Sequence, residues 1–253
     1  MNQLGQNNLI QPSTATYRAS SVNYRQTSNN GIPYKRVFDV VVSFLVIVFI
    51  LSWLIPLLAI LIKLDSKGPV FFIQKRIGGM SKIFNCLKLR TMVVNEIANS
   101  CQAQENDPRI TLFGKLLRRT CLDELPQFFN VLIGEMSIVG PRPHMIKDCE
   151  DFIKVVPSYE LRHAVKPGIT GMAQVKGYRG QTNSFYDVFH RYQWDIFYVR
   201  NACFALDMKI IYKTLVQILS SFTKTAKTPV TGQPVSPERH PLVDSCRDQF
   251  VKA

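Results

Sequence analysis

The chain has 253 residues, 46% of them hydrophobic, enough for a real core in one or two domains. Lys and Arg number 31 against 18 Asp and Glu, a formal charge of +13, which leaves the fold open and points to anionic partners: nucleic acid, anionic lipid or phosphorylated small molecules. The six cysteines (Cys86, Cys101, Cys121, Cys149, Cys203 and Cys246) form no C-x-x-C pair, which argues against a zinc site and for reduced thiols.

Residues 1–34 are rich in Asn, Gln, Ser and Thr and read as a disordered polar arm. From Val40 to Ile62 the chain carries 23 consecutive uncharged residues, nearly all apolar. About 20 such residues cross a bilayer core as a helix, so residues 35–64 read as membrane-inserted. Lys35 and Arg36 precede the run, and Lys63, Lys67, Lys75 and Arg76 follow it. Flanks of one sign at both ends suit a re-entrant hairpin as well as a spanning helix. Pro56 favours a kink inside the run, and Ser52, four residues earlier, stands where it can satisfy part of the broken ladder.

Gly68-Pro69 signals a turn, and Val70 to Gln74 has strand composition, with Ile83 to Leu89 as its hairpin partner. Residues 95–108 read as a polar loop. Helical spacing returns at Leu112–Leu117 and Leu125–Ile133, again at 158–165, and at 184–200. Pro141 and Pro143 mark an irregular turn, and 166–171 a loop. In Asp207–Phe222, Met208, Ile211, Leu215, Ile218 and Phe222 recur at steps of three and four. This amphipathic helix either packs on the domain or lies on the membrane surface with its lysines toward headgroups. Four prolines after Thr223 make 223–253 a flexible tail.

Thr120 to Asn130 reads TCLDELPQFFN and places Asp123 beside Glu124. Thr120 followed by Asp123 fits a capping box, and acids suit a first helical turn, so a helix start alone accounts for the motif. Its surroundings favour more. Arg118 and Arg119 precede it, Arg142 lies between two prolines, and Arg179 lies in the glycine-bracketed KGYRG. Arginines on stiff loops suit bidentate phosphate recognition. One carboxylate can accept a phosphoryl group, and an adjacent one can hold Mg²⁺. On a helix two neighbours point about 100° apart, which suits two roles rather than one shared proton.

The motifs KR.FD (35–39), GPVFFIQKRIG (68–78), KLRTM (88–92), DPRIT.FGK.LR (107–118), LDELPQFFNVLIGEMSIVGPRP (122–143) and KPGITGMAQVKGYRG (166–180) stand in this order, followed by D..YVRN and LD.KII. Across roughly 35–220 the chain resembles the bacterial sugar transferases, the monotopic phosphoglycosyl transferases, and most resembles those that start exopolysaccharide chains with a hexose 1-phosphate. The resemblance implies transfer of a hexose 1-phosphate from a UDP-sugar to undecaprenyl phosphate with release of UMP, the first membrane step of exopolysaccharide, capsule or O-antigen synthesis. It implies Asp123 as nucleophile, Glu124 as the Mg²⁺ ligand, Arg118, Arg142 and Arg179 as phosphate holders and Lys88 as a basic site residue. It also implies the bacterial inner membrane, with the catalytic domain on the cytoplasmic face. The family's membrane helix is re-entrant and often breaks at a Ser-Pro pair; here Trp53 follows Ser52 and the proline waits until Pro56.

The expected architecture is α+β and mostly helical. A re-entrant membrane hairpin at 35–64 precedes a small cytoplasmic catalytic domain at 65–222 with a short β-hairpin and an amphipathic C-terminal helix. Expected partners are a UDP-sugar, undecaprenyl phosphate and membrane lipid; no nucleic-acid-binding motif is present, and a homo-oligomer is compatible with the sequence.

Overall fold

The computed structural model describes residues 33–95, 103, 107–180 and 185–223. The tail after Thr223, the polar arm before Pro33 and most of the 95–108 loop lie outside the described residues.

The apolar run forms α1 (Pro33–Val46), one π turn (Ile47–Leu51) and α2 (Ser52–Asp65). Together they make one helix, Tyr34–Asp65, whose 32 residues are long and apolar enough to cross a membrane by length and composition. Phe44, Phe49, Trp53, Leu57, Ile60 and Leu64 stand exposed along it. The break in register differs from the expected one. It lies ahead of Pro56, where the Ser52 amide reaches back to Ile47 O. Ser52 Oγ donates to Val48 O at 2.6 Å, and Trp53 Nε1 donates to Phe49 O at 2.9 Å. The carbonyl that Pro56 leaves without its amide is Ser52's own, so the hydroxyl serves the π turn instead.

Both ends of this helix are fastened to the domain. Lys35 Nζ donates to Asp207 at 2.6 Å and to Val139 O at 3.1 Å. Arg36 donates to Val131 O and Leu132 O at 2.7 and 2.8 Å, meeting carbonyls of the last turn of a helix, where a cation is favoured. Asp39 Oδ1 accepts from the Ile138 amide. At the far end Leu58 and Ile62 pack on Leu89 and Leu117, and Arg90 donates to Ser66 O and Lys67 O. The first basic flank is thus bound inside the protein rather than offered to headgroups.

The hairpin forms as expected and extends further: β1 (Phe71–Ile77) pairs antiparallel with β2 (Ile83–Leu89), in the register Phe71↔Leu89 to Ile77↔Ile83. Side chains alternate, so Phe72, Gln74 and Arg76 share one face with Lys88, Cys86 and Phe84. Next come α3 (Leu112–Thr120), a 3₁₀ turn (Leu122–Glu124) and α4 (Gln127–Ile133). Asn130 ties α4 to the hairpin, accepting from the Leu87 amide and donating to Asn85 O.

Two features were not expected. β3 (Ser137–Val139) and β4 (Gly168–Thr170) pair in parallel, and α5 (Ile146–Val155) follows the Pro141–Pro143 turn. Strands of three residues are too short to register a period of two. A Cβ on Gly140 would come within 2.4 Å of Lys166 O, so this close backbone approach requires glycine. Residues 159–164 form a 3₁₀ segment rather than an α-helix. α6 (Met172–Val175), α7 (Phe185–Asn201) and α8 (Phe204–Thr223) complete the chain.

The main core joins Phe84, Cys86, Val131, Met136, Val139, Tyr198 and Ile210, with Leu206 and Ile211 of α8 packed against it. Thr214 bonds Thr170 at 2.6 Å, and Gln217 donates to Val175 O. Leu215, of the apolar stripe read from the sequence, is exposed with Tyr212, Val216 and Leu219, whereas Ile211 of the same stripe packs inward. α8 therefore packs along one face and presents a second apolar face outward.

Candidate active site

Thr120 does not open a helix. It is the last residue of α3, and its hydroxyl donates back to Leu116 O at 2.8 Å. Cys121 then takes the left-handed conformation (φ 59°) and closes α3. The capping-box reading is corrected by this turn: one helix ends and a tight 3₁₀ turn carries Asp123 and Glu124 toward β2. The two carboxylates do take different environments, as their adjacent positions on a helical turn predict.

Glu124 is clamped. Lys88 Nζ donates to Oε1 at 2.9 Å. Arg142 grips the carboxylate with both Nη atoms, Nη1 reaching Oε2 at 3.0 Å and Nη2 meeting Oε1. Burial alone would raise the Glu124 pKa; Arg142 and Lys88 outweigh it and hold the group well below the usual carboxylate range. The reciprocal effect holds Arg142 above its ordinary range despite burial.

Asp123 is 9% exposed and makes no hydrogen bond among the described residues. Burial and then the Glu124 charge raise its pKa to about 6, against the pull of Lys88, Arg118 and Arg142. It is thus the less stabilised acid of the pair, with its oxygens not committed to a partner. Arg118 Nε donates to Thr91 Oγ1 at 2.8 Å, and the exposed Arg179 reaches Cys121 Sγ at 2.8 Å.

A cavity of about 750 Å³ gathers all six residues picked from the sequence: Asp123, Glu124, Arg118, Arg142, Arg179 and Lys88. It also holds Arg76, Arg90, Arg191, His144 and Asp148, which sequence reading did not single out. Among the described residues, seven cationic side chains thus line the cavity with three carboxylates, a balance suited to multiply charged phosphates. Arg76 read as a membrane flank, but alternation along β1 turns it to the inside. Arg191 sits one helical turn before Asp195 on α7, and no local motif marks either.

Buried ion pairs hold the wall. Arg162 pairs with Asp195 at 2.7 Å and donates through Nη2 to Arg142 O at 2.6 Å. Arg76 Nη1 donates to Pro143 O at 2.7 Å, and Arg191 Nη2 to Gly180 O at 2.6 Å. The Pro141–Pro143 segment is therefore fixed by guanidinium donors as well as by its rings. His144, buried among Arg162, Arg191, Arg76 and Arg142, is held neutral: burial and then those four charges push its pKa well below the ordinary value. Among the described residues no cluster of three His, Cys, Asp or Glu side chains could enclose a metal ion.

Such a site can bind a diphosphate in a cationic cradle, present an uncommitted carboxylate to it, and keep a second carboxylate charged. Residues 30–221 match the family described as bacterial sugar transferase. The chain is 46% identical over 189 residues to the UDP-glucose:undecaprenyl-phosphate glucose-1-phosphate transferase of Klebsiella pneumoniae, covering 74% of this chain and 40% of that protein. It is 42% identical over 191 residues to the exopolysaccharide production protein PSS of Rhizobium leguminosarum bv. phaseoli, covering 74% and 95%. It is 40% identical over 190 residues to the UDP-N-acetylgalactosamine-undecaprenyl-phosphate N-acetylgalactosaminephosphotransferase of Aeromonas hydrophila, covering 74% and 44%. The chain thus spans less than half the length of the Klebsiella and Aeromonas proteins. A match across three quarters of its own residues, with the carboxylate pair and its arginines inside the matched region, places this chain in the bacterial sugar transferase family.

Proposed function

We infer that this chain moves a sugar 1-phosphate from a UDP-sugar to undecaprenyl phosphate, releasing UMP, as a first step of exopolysaccharide synthesis. The observation that carries the reading is the asymmetric pair: Glu124 locked by Lys88 and Arg142, and Asp123 beside it on the same cavity with no hydrogen-bond partner among the described residues.

An Asp123 carboxylate oxygen attacks the phosphorus bearing the sugar. A P–O bond to Asp123 forms, the P–O bond to the nucleotide breaks, and UMP leaves with that electron pair. An oxygen of the lipid phosphate then attacks the same phosphorus, and the P–O bond to Asp123 breaks, restoring the carboxylate. Arg118, Arg142, Arg179 and Lys88 neutralise the oxygens around the phosphorus, and positioning supplies most of the remainder.

Mg²⁺ suits Glu124 through one oxygen: Oε1 accepts from both Lys88 and Arg142, whereas Oε2 accepts only from Arg142. With one protein carboxylate the ion would take its other ligands from phosphates and water. Bound there, it would neutralise phosphate charge.

The cavity's other end suits the lipid. Pro69, Phe71, Val93 and Val94 line it, just beyond the segment where Arg90 fastens the end of α2. An acceptor phosphate at the membrane interface would thus approach Asp123 along apolar wall. The reading includes a helix that enters and leaves the membrane on one face, and an outward apolar stripe of α8 resting on lipid.

The test is UMP release from UDP-sugars in membranes carrying undecaprenyl phosphate. Wild-type protein should release UMP, while Asp123→Asn and Glu124→Gln should each lose at least about a hundredfold. Wild-type turnover by Asp123→Asn would refute the covalent mechanism.

A further inference from the structure

Arg191 is a buried cation on the cavity wall without a counter-ion. It lines the cavity from α7 and is 6% exposed, yet it forms no ion pair among the described residues. Asp195, one helical turn along, is held by Arg162 at 2.7 Å. Arg191 Nη2 donates to Gly180 O at 2.6 Å, Nη1 stands 3.4 Å from Nε2 of His144, and Nε has no partner among the described residues. A carbonyl and a neutral ring leave its charge uncompensated. Holding Gly180 O needs only a neutral donor, such as a glutamine amide. Burying a guanidinium instead costs free energy that an arriving anion offsets.

The position of Arg191 selects among the phosphates of the reaction. Arg142, which grips Glu124, precedes His144 by two residues. At most about 7 Å of backbone therefore separates the clamp of the carboxylate pair from the ring that Arg191 faces. That step is comparable with the span of a diphosphate: with one phosphate at Asp123, the other lies toward Arg191. The apolar end of the cavity is remote. His144 O accepts from the Ile77 amide at 3.2 Å. Ile77 stands six residues along β1 from Phe71 of that apolar end, or about 20 Å. Lys88 and Arg142 are already engaged with Glu124. As the bond to the nucleotide breaks, the nucleotide's phosphate gains negative charge, and a cation without a protein counter-ion can meet that charge where it develops.

We propose that Arg191 binds the phosphate of the departing nucleotide, UMP, and neutralises the charge it gains on leaving. The proposal deepens the transferase reading and rests on it. The acceptor lipid carries a phosphate too, and the experiment separates the two sources.

Binding of UMP to the full chain in lipid nanodiscs is measured by equilibrium dialysis, which needs no turnover, for wild type, Arg191→Met and Arg191→Lys. Arg191→Met keeps length without charge and should weaken UMP binding about thirtyfold; Arg191→Lys keeps the charge without the fork and should weaken it about fivefold. Arg191→Lys carries the test alone if Arg191→Met does not fold. Uridine lacks the phosphate and should bind all three proteins alike; an equal loss for uridine overturns the proposal. The loss of UMP binding should persist in an Arg179→Ala background. No further loss there would mean that Arg191 only holds the Gly180 loop for Arg179, and would overturn the phosphate contact. The KM for undecaprenyl phosphate should stay near that of wild type in Arg191→Lys. A rise in that KM with UMP binding unchanged assigns the lipid phosphate and overturns the assignment to the nucleotide. If wild type releases no UMP from UDP-glucose but binds UMP through Arg191, the transferase reading fails and the phosphate site stands. If wild type turns over and UMP binding is indifferent to Arg191, the site fails and the transferase reading stands.

Discussion

Replacing Asp123 by asparagine should stabilise the fold at neutral pH while abolishing transfer. The side chain is 9% exposed, and its pKa rises from 3.8 to about 6 because burial and Glu124 oppose its charge. A raised carboxylate pKa means that the folded state prefers the protonated form. The folded protein therefore carries a penalty that is absent below pH 3.8, grows as pH rises and is complete above about 6. At about 1.4 kcal/mol per pKa unit, that penalty is of order 1–3 kcal/mol, the lower end allowing for coupling to Glu124. Asparagine is the neutral isostere of the protonated acid and removes the penalty. For a protein of this size each kcal/mol moves Tm by about 2–4 °C. Thermal unfolding of wild type and Asp123→Asn in one detergent, at pH 7.5 and pH 4, reads the difference. The variant should melt several degrees higher at pH 7.5, and the gap should shrink toward zero at pH 4. A variant that melts lower at pH 7.5, or a gap independent of pH, would refute the reasoning that Asp123 is held ionised at a cost.

The same pKa predicts that kcat/KM for the UDP-sugar falls with unit slope below about pH 6, because the nucleophile must be ionised; a flat profile down to pH 5 would count against Asp123. Arg162→Met leaves Asp195 buried without its pair and should cost about 3–5 kcal/mol in urea unfolding, with much of the loss recovered in the double variant Arg162→Met/Asp195→Leu. Chelation by EDTA should abolish UMP release, and added Mg²⁺ should restore it; full activity in EDTA would leave Lys88 and the arginines as the sole source of phosphate neutralisation.

Asp123, Glu124, Arg118, Arg142 and Arg179 were legible because their runs are locally unusual: an acid pair in a basic chain with arginines just upstream, an arginine between prolines, another between glycines; Lys88 was marked only by the family resemblance. Arg76, Arg191 and Asp148 were not legible, because what brings them to the cavity is strand alternation and helix packing across distant segments. The hairpin was readable from two strand-like runs flanking Gly78 and Gly79. The β3–β4 pair was not, since its six residues find each other only through the close approach of Gly140 and Gly168. Thr120 misled for a related reason. A Thr-x-x-Asp spacing is the same at a helix start and across a helix end, and only the left-handed Cys121 distinguishes them.

The re-entrant topology proposed for the apolar helix rests on where its two ends are held. At 1.5 Å per residue, a straight helix of 32 residues would be about 48 Å long, and a bilayer core is about 30 Å thick. A spanning helix would therefore set its ends on opposite sides. Yet Arg36 is bound to carbonyls at the end of α4, and the other end is bound by Arg90 next to β2. Asn130 joins α4 directly to β2 at 3.0 and 2.8 Å, so the two anchors belong to one tightly bonded unit. Crossing would tear away either Lys35 with Arg36 or the Arg90 contacts, leaving buried charged groups unpaired at several kcal/mol each. Bending at the π turn costs far less, since Ser52 and Trp53 side chains already serve the carbonyls there. Tyr34 and Lys67 are both exposed, so cysteines placed at these positions, with the native cysteines replaced, should label with a membrane-impermeant reagent from the same face of sealed vesicles. Labelling from opposite faces would sink the hairpin, and with it the idea that the lipid phosphate meets Asp123 at the surface where the helix enters.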